Sequence, residues 1–232
     1  TETSGEAVRG EMSHNYFLDP DVAGRIHEHF PEMKLLFCLR EGVDRTFSEY
    51  LYDKTLFQYV SREEYEAGLS FEEFARMPEV SVQSDYVRNL KHYYDLFPRE
   101  QICVVFYDEL KEDAAEFART VFRFLEVDES FSPSVLHKKV NVAREPRFVW
   151  LADLAFKAGK LIRHVGRPDV VGGVKRNALF ERIVYKPYTG TREKPKPNPD
   201  EVASLWPLYH DSDERLEELI GRPVPAGWRR EA

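Results

Sequence analysis

The sequence predicts an α/β fold, a parallel sheet flanked by helices, and three observations predict it. Two short apolar runs, Lys34–Leu39 and Ile102–Tyr107, have the length and the Leu, Val, Ile and Phe content of buried strands. Amphipathic segments of helical period stand between and after them, and that alternation favours parallel strands joined by helices. The chain has 232 residues, 42% of them hydrophobic and 13% aromatic, enough for one packed core. No internal repeat and no second domain is evident, so residues 1–232 read as a single domain.

Taken in order, residues 1–9 are polar, and Glu11–Phe17 reads as a short strand or strand end with a turn. Asp19 and Pro20 start a helix that runs to about Phe30, with Pro31 after it. Lys34–Leu39 is a strand. Val43–Tyr59 is a helix whose Val43, Phe47, Tyr50 and Leu51 keep helical spacing. An acidic stretch broken by Gly68 and Pro78 holds a short helix near Ser70–Met77. Tyr86–Phe97 is a helix stopped at Pro98, and Ile102–Tyr107 is the second strand, followed by an acidic turn at Asp108-Glu109-Leu110. Asp113 with Glu116 makes a capping-box-like start to a helix that ends near Leu125, with Ala114, Phe117, Val121 and Phe124 on one face. Ser132-Pro133 begins a further helix, and Phe148–His164 is another. Residues 165–199 are a long loop with a short helix inside. Asp200–Ile220 is helical with a break at Pro207 and a stop at Gly221.

Charge and composition exclude several classes. The net charge of −8 argues against nonspecific binding to nucleic acid or to an anionic membrane surface. No run reaches membrane-spanning length and no signal-peptide pattern is present, so a cytoplasmic location is expected. The two cysteines, Cys38 and Cys103, sit inside apolar runs and are expected to be small core residues rather than a disulfide pair. Among the histidines only His27 and His29 are close in sequence, and two residues apart on a helix they point to different faces, so no metal is expected.

The segment Lys34–Tyr50 holds the clearest chemistry. A buried strand delivers Arg40 at its carboxyl end, Gly42 permits a sharp turn, and a helix follows with Ser48 in its first turns. Open α/β sheets bind ligands at that edge, and a helix N-terminus favours anions. Arg40 and Ser48 therefore form a candidate phosphate site, since a guanidinium donates two parallel bonds to such a group. The bland alternatives are a surface ion pair of Arg40 with Glu41 or Asp44 and an ordinary helix hydroxyl for Ser48. Arg45 is expected to pair with Asp44 or Glu49, or to brace the sheet.

This segment resembles the part of sulfotransferases that holds the 3′-phosphate of 3′-phosphoadenosine 5′-phosphosulfate (PAPS). In that family an apolar strand runs into Leu-Arg, then a short turn, an Arg, and a Ser followed closely by Tyr. Two more segments carry the resemblance. Gly10–Phe17 is similar to the Glu-Lys-Ser/Thr-x-x-Tyr-Phe segment of the carbohydrate branch, with Met12 where the family often has Lys. Tyr86–Pro98 followed by Gln101–Leu110 is similar to the middle of the same family. The resemblance spans most of residues 10–147 and, more weakly, 186–228.

The resemblance implies a P-loop NTPase-like parallel sheet flanked by helices, the sulfotransferase fold. No Lys/Arg-rich loop for the 5′-phosphosulfate precedes Glu11, so the first strand–loop–helix unit is expected to be missing. It implies PAPS as donor, 3′,5′-adenosine diphosphate (PAP) as product and no metal. The acceptor would be a hydroxyl, with an amine as second choice, on a carbohydrate or small natural product. Glu11 maps onto the family's base for the acceptor proton, and His14 is the alternative base. Arg40 and Ser48 map onto the 3′-phosphate ligands. Gly190, Thr191 and Arg192 weakly match the late Lys-Gly-Arg loop that closes over the nucleotide, or form a solvated basic loop. Lys138, Lys139, Asn141 and Arg144 face the acceptor or form an exposed loop. Two other readings stay open: a PAP-binding module without transfer activity, and a nucleotide kinase or other P-loop transferase on the same fold.

Overall fold

The computed structural model describes residues 8–13, 15–56, 59–134, 136, 144–146, 185–187 and 195–229. The chain divides into two compact units, one of Thr1–Thr46, Glu72–Lys138 and Asp200–Ala232, the other of Phe47–Phe71 and Lys139–Pro199. The helix expected at Phe148–His164 lies outside the described residues, as does most of the loop expected over 165–199.

The first unit is built on a parallel pair of strands. β1 (Leu35–Leu39) lies beside β2 (Ile102–Phe106), with Leu35 opposite Ile102 and Leu39 opposite Phe106. Side chains alternate along a strand, so Leu35 and Leu39 join Ile102, Val104 and Phe106 in one core, with Phe37 packed against it. Helix α1 (Pro20–His29) contributes Ala23 to that core. Leu216, Val224 and Trp228 join it from the far end of the sequence. The same alternation corrects the expectation for the cysteines. Leu36 and Cys38 take the other face of β1, where Leu36 is 42% exposed, Cys38 is exposed and free, and Cys103 is half-buried and free.

The helix starts follow their capping chemistry. Asp19 accepts from the Asp21 amide at 3.0 Å and opens α1. Helix α2 (Gly42–Leu56) follows β1 directly. Three short helices come next: α3 (Arg62–Glu66), α4 (Phe71–Ala75) and α5 (Pro78–Ser81). Asp85 accepts from the Arg88 amide at 3.2 Å and caps α6 (Tyr86–Tyr94), whose Tyr86, Leu90 and Tyr93 reach the core. Helix α7 (Tyr107–Glu112) occupies the acidic stretch after β2 that the sequence suggested as a turn. Asp113 accepts from the Ala115 and Glu116 amides, both at 3.0 Å, and starts α8 (Ala114–Leu125). Glu116 itself turns to Arg119 at 2.8 Å.

Three expectations are corrected. Residues 8–13 have no regular structure and Asn15–Phe17 is a 3-10 turn, so the segment from Glu11 to Phe17 is not a strand. Phe131–Ser134 is not helical, although Pro133 is tolerated in a first turn. Pro207 does not break the last helical region. It stays inside α9 (Pro199–His210), where Leu205 and Tyr209 are buried on either side of it and outweigh the one lost backbone bond. The break falls at 211–212, before α10 (Asp213–Ile220), and Gly221 ends that helix at φ +73°, its N–H donating to the Glu217 carbonyl at 2.8 Å.

In the second unit Phe47 and Phe71 meet edge to face at 5.0 Å, and Tyr50 packs on both Phe71 and Tyr65. Buried Asp53 accepts from the Tyr59 and Val60 amides and from the Tyr65 hydroxyl at 2.8 Å. Strand β3 (Arg144–Pro146) pairs antiparallel with β4 (Tyr185–Pro187), with Arg144 opposite Pro187.

Candidate functional site

The parallel register determines what surrounds Arg40. Leu39 and Phe106 are opposite each other at the ends of their strands, so Arg40 and Tyr107 leave the sheet side by side. The Arg40 guanidinium lies 5.2 Å from the centre of the Tyr107 ring. Its Nε and Nη2 both donate to Asp44 Oδ2, at 2.8 and 2.7 Å. The Arg40 side chain is 24% exposed and the Asp44 side chain 45%. The pairing is the ion pair foreseen as the plain alternative, and it keeps the fork at the carboxyl edge of the sheet. The Arg40 carbonyl accepts from the Tyr86 hydroxyl at 2.5 Å.

The next two residues are held as firmly. The Glu41 carboxylate accepts from the Val43 amide at 2.8 Å and from the Asp44 amide at 2.6 Å. The first donors of α2 are thus taken by the protein's own carboxylate. Gly42 packs on Tyr209, and a Cβ at this position would stand 2.8 Å from the Tyr209 Cβ, which accounts for the glycine by close approach.

Glu41 also meets His210, a residue that the sequence showed only as a histidine without a metal-site spacing. His210 Nε2 lies 2.7 Å from Glu41 Oε1, and Nδ1 lies 2.7 Å from Asp213 Oδ2. The ring is stacked on Trp206 at 3.9 Å. Burial pulls its pKa down, but Asp213 and Glu41 outweigh that and hold it up at about 9. The ring is therefore charged over a wider range in the folded chain than in the unfolded one. Its contribution to stability is complete below about 6.5, the ordinary histidine value, and is lost as pH rises through about 9.

The segment that carries Glu11 lies in the same unit. Glu11 is exposed, and its Oε1 accepts from the Tyr16 hydroxyl at 2.8 Å. That bond to the carboxylate holds the Tyr16 phenol above its ordinary pKa. The Tyr16 carbonyl accepts from the Tyr93 hydroxyl at 2.6 Å. Phe17 packs on Phe37 at 5.6 Å and on Tyr86 at 6.2 Å. Tyr86 thus touches the Glu11 segment with its ring and holds the Arg40 carbonyl with its hydroxyl. Met12, where the resembling family often has Lys, is 97% exposed.

The remaining expectations fare differently. Ser48 is half-buried on α2 and belongs to the second unit. Arg45 donates to Ser84 Oγ at 2.5 Å and to Gln83 Oε1 at 3.3 Å, and so ties α2 to the 3-10 turn Val82–Ser84 that precedes α6. His14, Gly190, Thr191 and Arg192 lie outside the described residues, as do Lys138, Lys139 and Asn141. Arg144 is described as the first residue of β3. Among the described residues no group of His, Cys, Asp and Glu is placed to hold a metal ion, and no helix is long and apolar enough to cross a membrane.

The family model for the sulfotransferase domain matches residues 24–167, more than half of the chain. A crystal structure of a sulfotransferase from Alicyclobacillus acidocaldarius has a similar fold, with a TM-score of 0.53 over 93% of this chain at 22% identity. The chain spans 65% of the length of that protein. No curated protein matches the chain.

Proposed function

The chain belongs to the sulfotransferase domain family, and from that membership we propose that it moves the sulfuryl group of PAPS to a hydroxyl, less readily an amine, of a carbohydrate or small natural-product acceptor. Arg40 and Ser48 bind the 3′-phosphate, Glu11 takes the acceptor proton, and PAP leaves. Sulfuryl transfer asks little covalent chemistry of a protein. It needs the donor held in line, its charge met by cations and dipoles, and a base within reach of the attacking hydroxyl. The observation that carries the reading is Arg40, held at the carboxyl edge of a parallel sheet with its Nε–Nη2 fork on the Asp44 carboxylate, an anion that a phosphate could replace.

The same observation supports PAP over ATP with magnesium. A guanidinium fork suits a terminal phosphate directly, and the acidic residues that follow β2 are engaged by the protein itself, Asp108 with Lys111 and Trp228 and Glu109 with Arg222. Calorimetry is expected to show PAP binding and no ATP–magnesium binding, and a broad panel of sugar and small hydroxyl acceptors is expected to include one that accepts sulfate from PAPS. Binding of ATP–magnesium in place of PAP would favour a kinase, and PAP binding with no turnover on any acceptor would favour a binding module.

Asp44 competes with the nucleotide for Arg40. A phosphate oxygen that takes Nε and Nη2 has to displace or share the Asp44 carboxylate. Asp44→Asn is expected to tighten PAP binding by roughly 0.5–1 kcal/mol, the scale of a half-exposed ion pair. Calorimetry on the variant checks this, and weaker binding would mean that Asp44 presents the fork rather than opposes the ligand.

A further inference from the structure

Three consecutive residues of the β1–α2 turn are tied separately. The Arg40 carbonyl is held by Tyr86, the Glu41 carboxylate by His210, and Gly42 lies against Tyr209. The second and third ties come from neighbouring residues at the end of α9, and Tyr209 is itself fixed by donating to the Ala75 carbonyl at 3.0 Å. His210 has a carboxylate oxygen 2.7 Å from each ring nitrogen. A neutral imidazole has one N–H and cannot donate to both, so the ring is an imidazolium. The charged groups that face it are Glu41 on the turn and Asp213 on α10. Trp206 and Trp228 pack against it.

Neither nitrogen is open to a substrate, and the side chain is 6% exposed, so the ring is not an acid or base for the reaction. Its reach is through Glu41. That carboxylate holds the amides of Val43 and Asp44, and so fixes the backbone of the turn that carries Arg40. We propose that His210 is a positioning residue of the nucleotide site: clamped between Asp213 and Glu41, it fixes the β1–α2 turn and so the direction in which Arg40 is presented, a role that rests on the reading of Arg40 as the PAP ligand.

The test is calorimetry of PAP binding between pH 7 and 10, above the second ionisation of a phosphate monoester, on the wild type, His210→Gln and Asp213→Asn. Thermal unfolding is followed in parallel. The wild-type affinity is expected to hold to about pH 8 and to fall about tenfold as the ring loses its proton near pH 9. His210→Gln is expected to bind about tenfold more weakly at pH 7 and to show no break. Asp213→Asn, which removes one of the two carboxylates, is expected to keep the break and move it to lower pH.

A merely structural role would lower the melting temperature of His210→Gln and leave the affinity of the folded protein and its pH profile unchanged, and that result overturns the inference. If the wild type does not bind PAP at all, the nucleotide reading fails, and the amide resonances of Val43 and Asp44 decide the inference without ligand. They are expected to shift through pH 9 in the wild type and to stay still in His210→Gln. Resonances that do not move in the wild type overturn it.

Discussion

Arg40→Ala is expected to weaken PAP binding by roughly 1.5–3 kcal/mol, the worth of a charge-assisted hydrogen bond to phosphate, while the chain stays folded. The structure separates the two effects. What ties residue 40 to the core is its backbone carbonyl, which takes the Tyr86 hydroxyl and survives the substitution. What the side chain contributes is an ion pair with half-exposed Asp44 and a contact with the Tyr107 ring. Together these are expected to stabilise the fold by about 1 kcal/mol or less. The melting temperature should therefore move little while the affinity falls by tenfold or more. Ser48→Ala should act in the same direction by roughly 0.5–1.5 kcal/mol, the value of a neutral hydrogen bond. Equal affinities for wild type and Arg40→Ala in calorimetry would remove Arg40 from the site.

The parts of the fold that follow from local chemistry were legible in the sequence. The strands at Leu35–Leu39 and Ile102–Phe106 are strand-length apolar runs with turn residues beyond them. The starts at Asp19 and Asp113 and the stop at Gly221 are caps that a few neighbouring residues specify. Arg40 at the end of β1 was legible for the same reason.

The parts that depend on distant partners were not. Cys38 looked like core because its run is apolar throughout, but which face of a strand is covered depends on what packs there. Pro207 looked like a break because its missing N–H is a local fact, whereas the burial of Leu205 and Tyr209 is not. The Glu41–His210 contact joins residues 169 positions apart. The one local hint was Asp213 three residues after His210, near enough in sequence to pair with it across the turn at 211–212.

Glu11→Gln is expected to lower sulfuryl transfer by roughly 10²–10⁴-fold, the usual contribution of a general base, with little change in PAP affinity. The substitution is a narrow one here. A Gln carbonyl oxygen can still accept from the Tyr16 hydroxyl, as Glu11 Oε1 does at 2.8 Å, and the segment stays anchored through Tyr93 and through Phe17 on Tyr86. Shape and anchoring are kept and the capacity to take a proton is lost. Rates from PAPS on wild type and variant, with the acceptor at saturation, measure the effect. His14→Ala serves as the contrast. If Glu11 is the base, His14→Ala should cost much less turnover and act on the acceptor KM, as a ring lining the acceptor cleft would. The two bases therefore predict opposite rankings of the two variants. An active Glu11→Gln beside an inactive His14→Ala would move the proton transfer to His14 and end the carbohydrate-type assignment of the base.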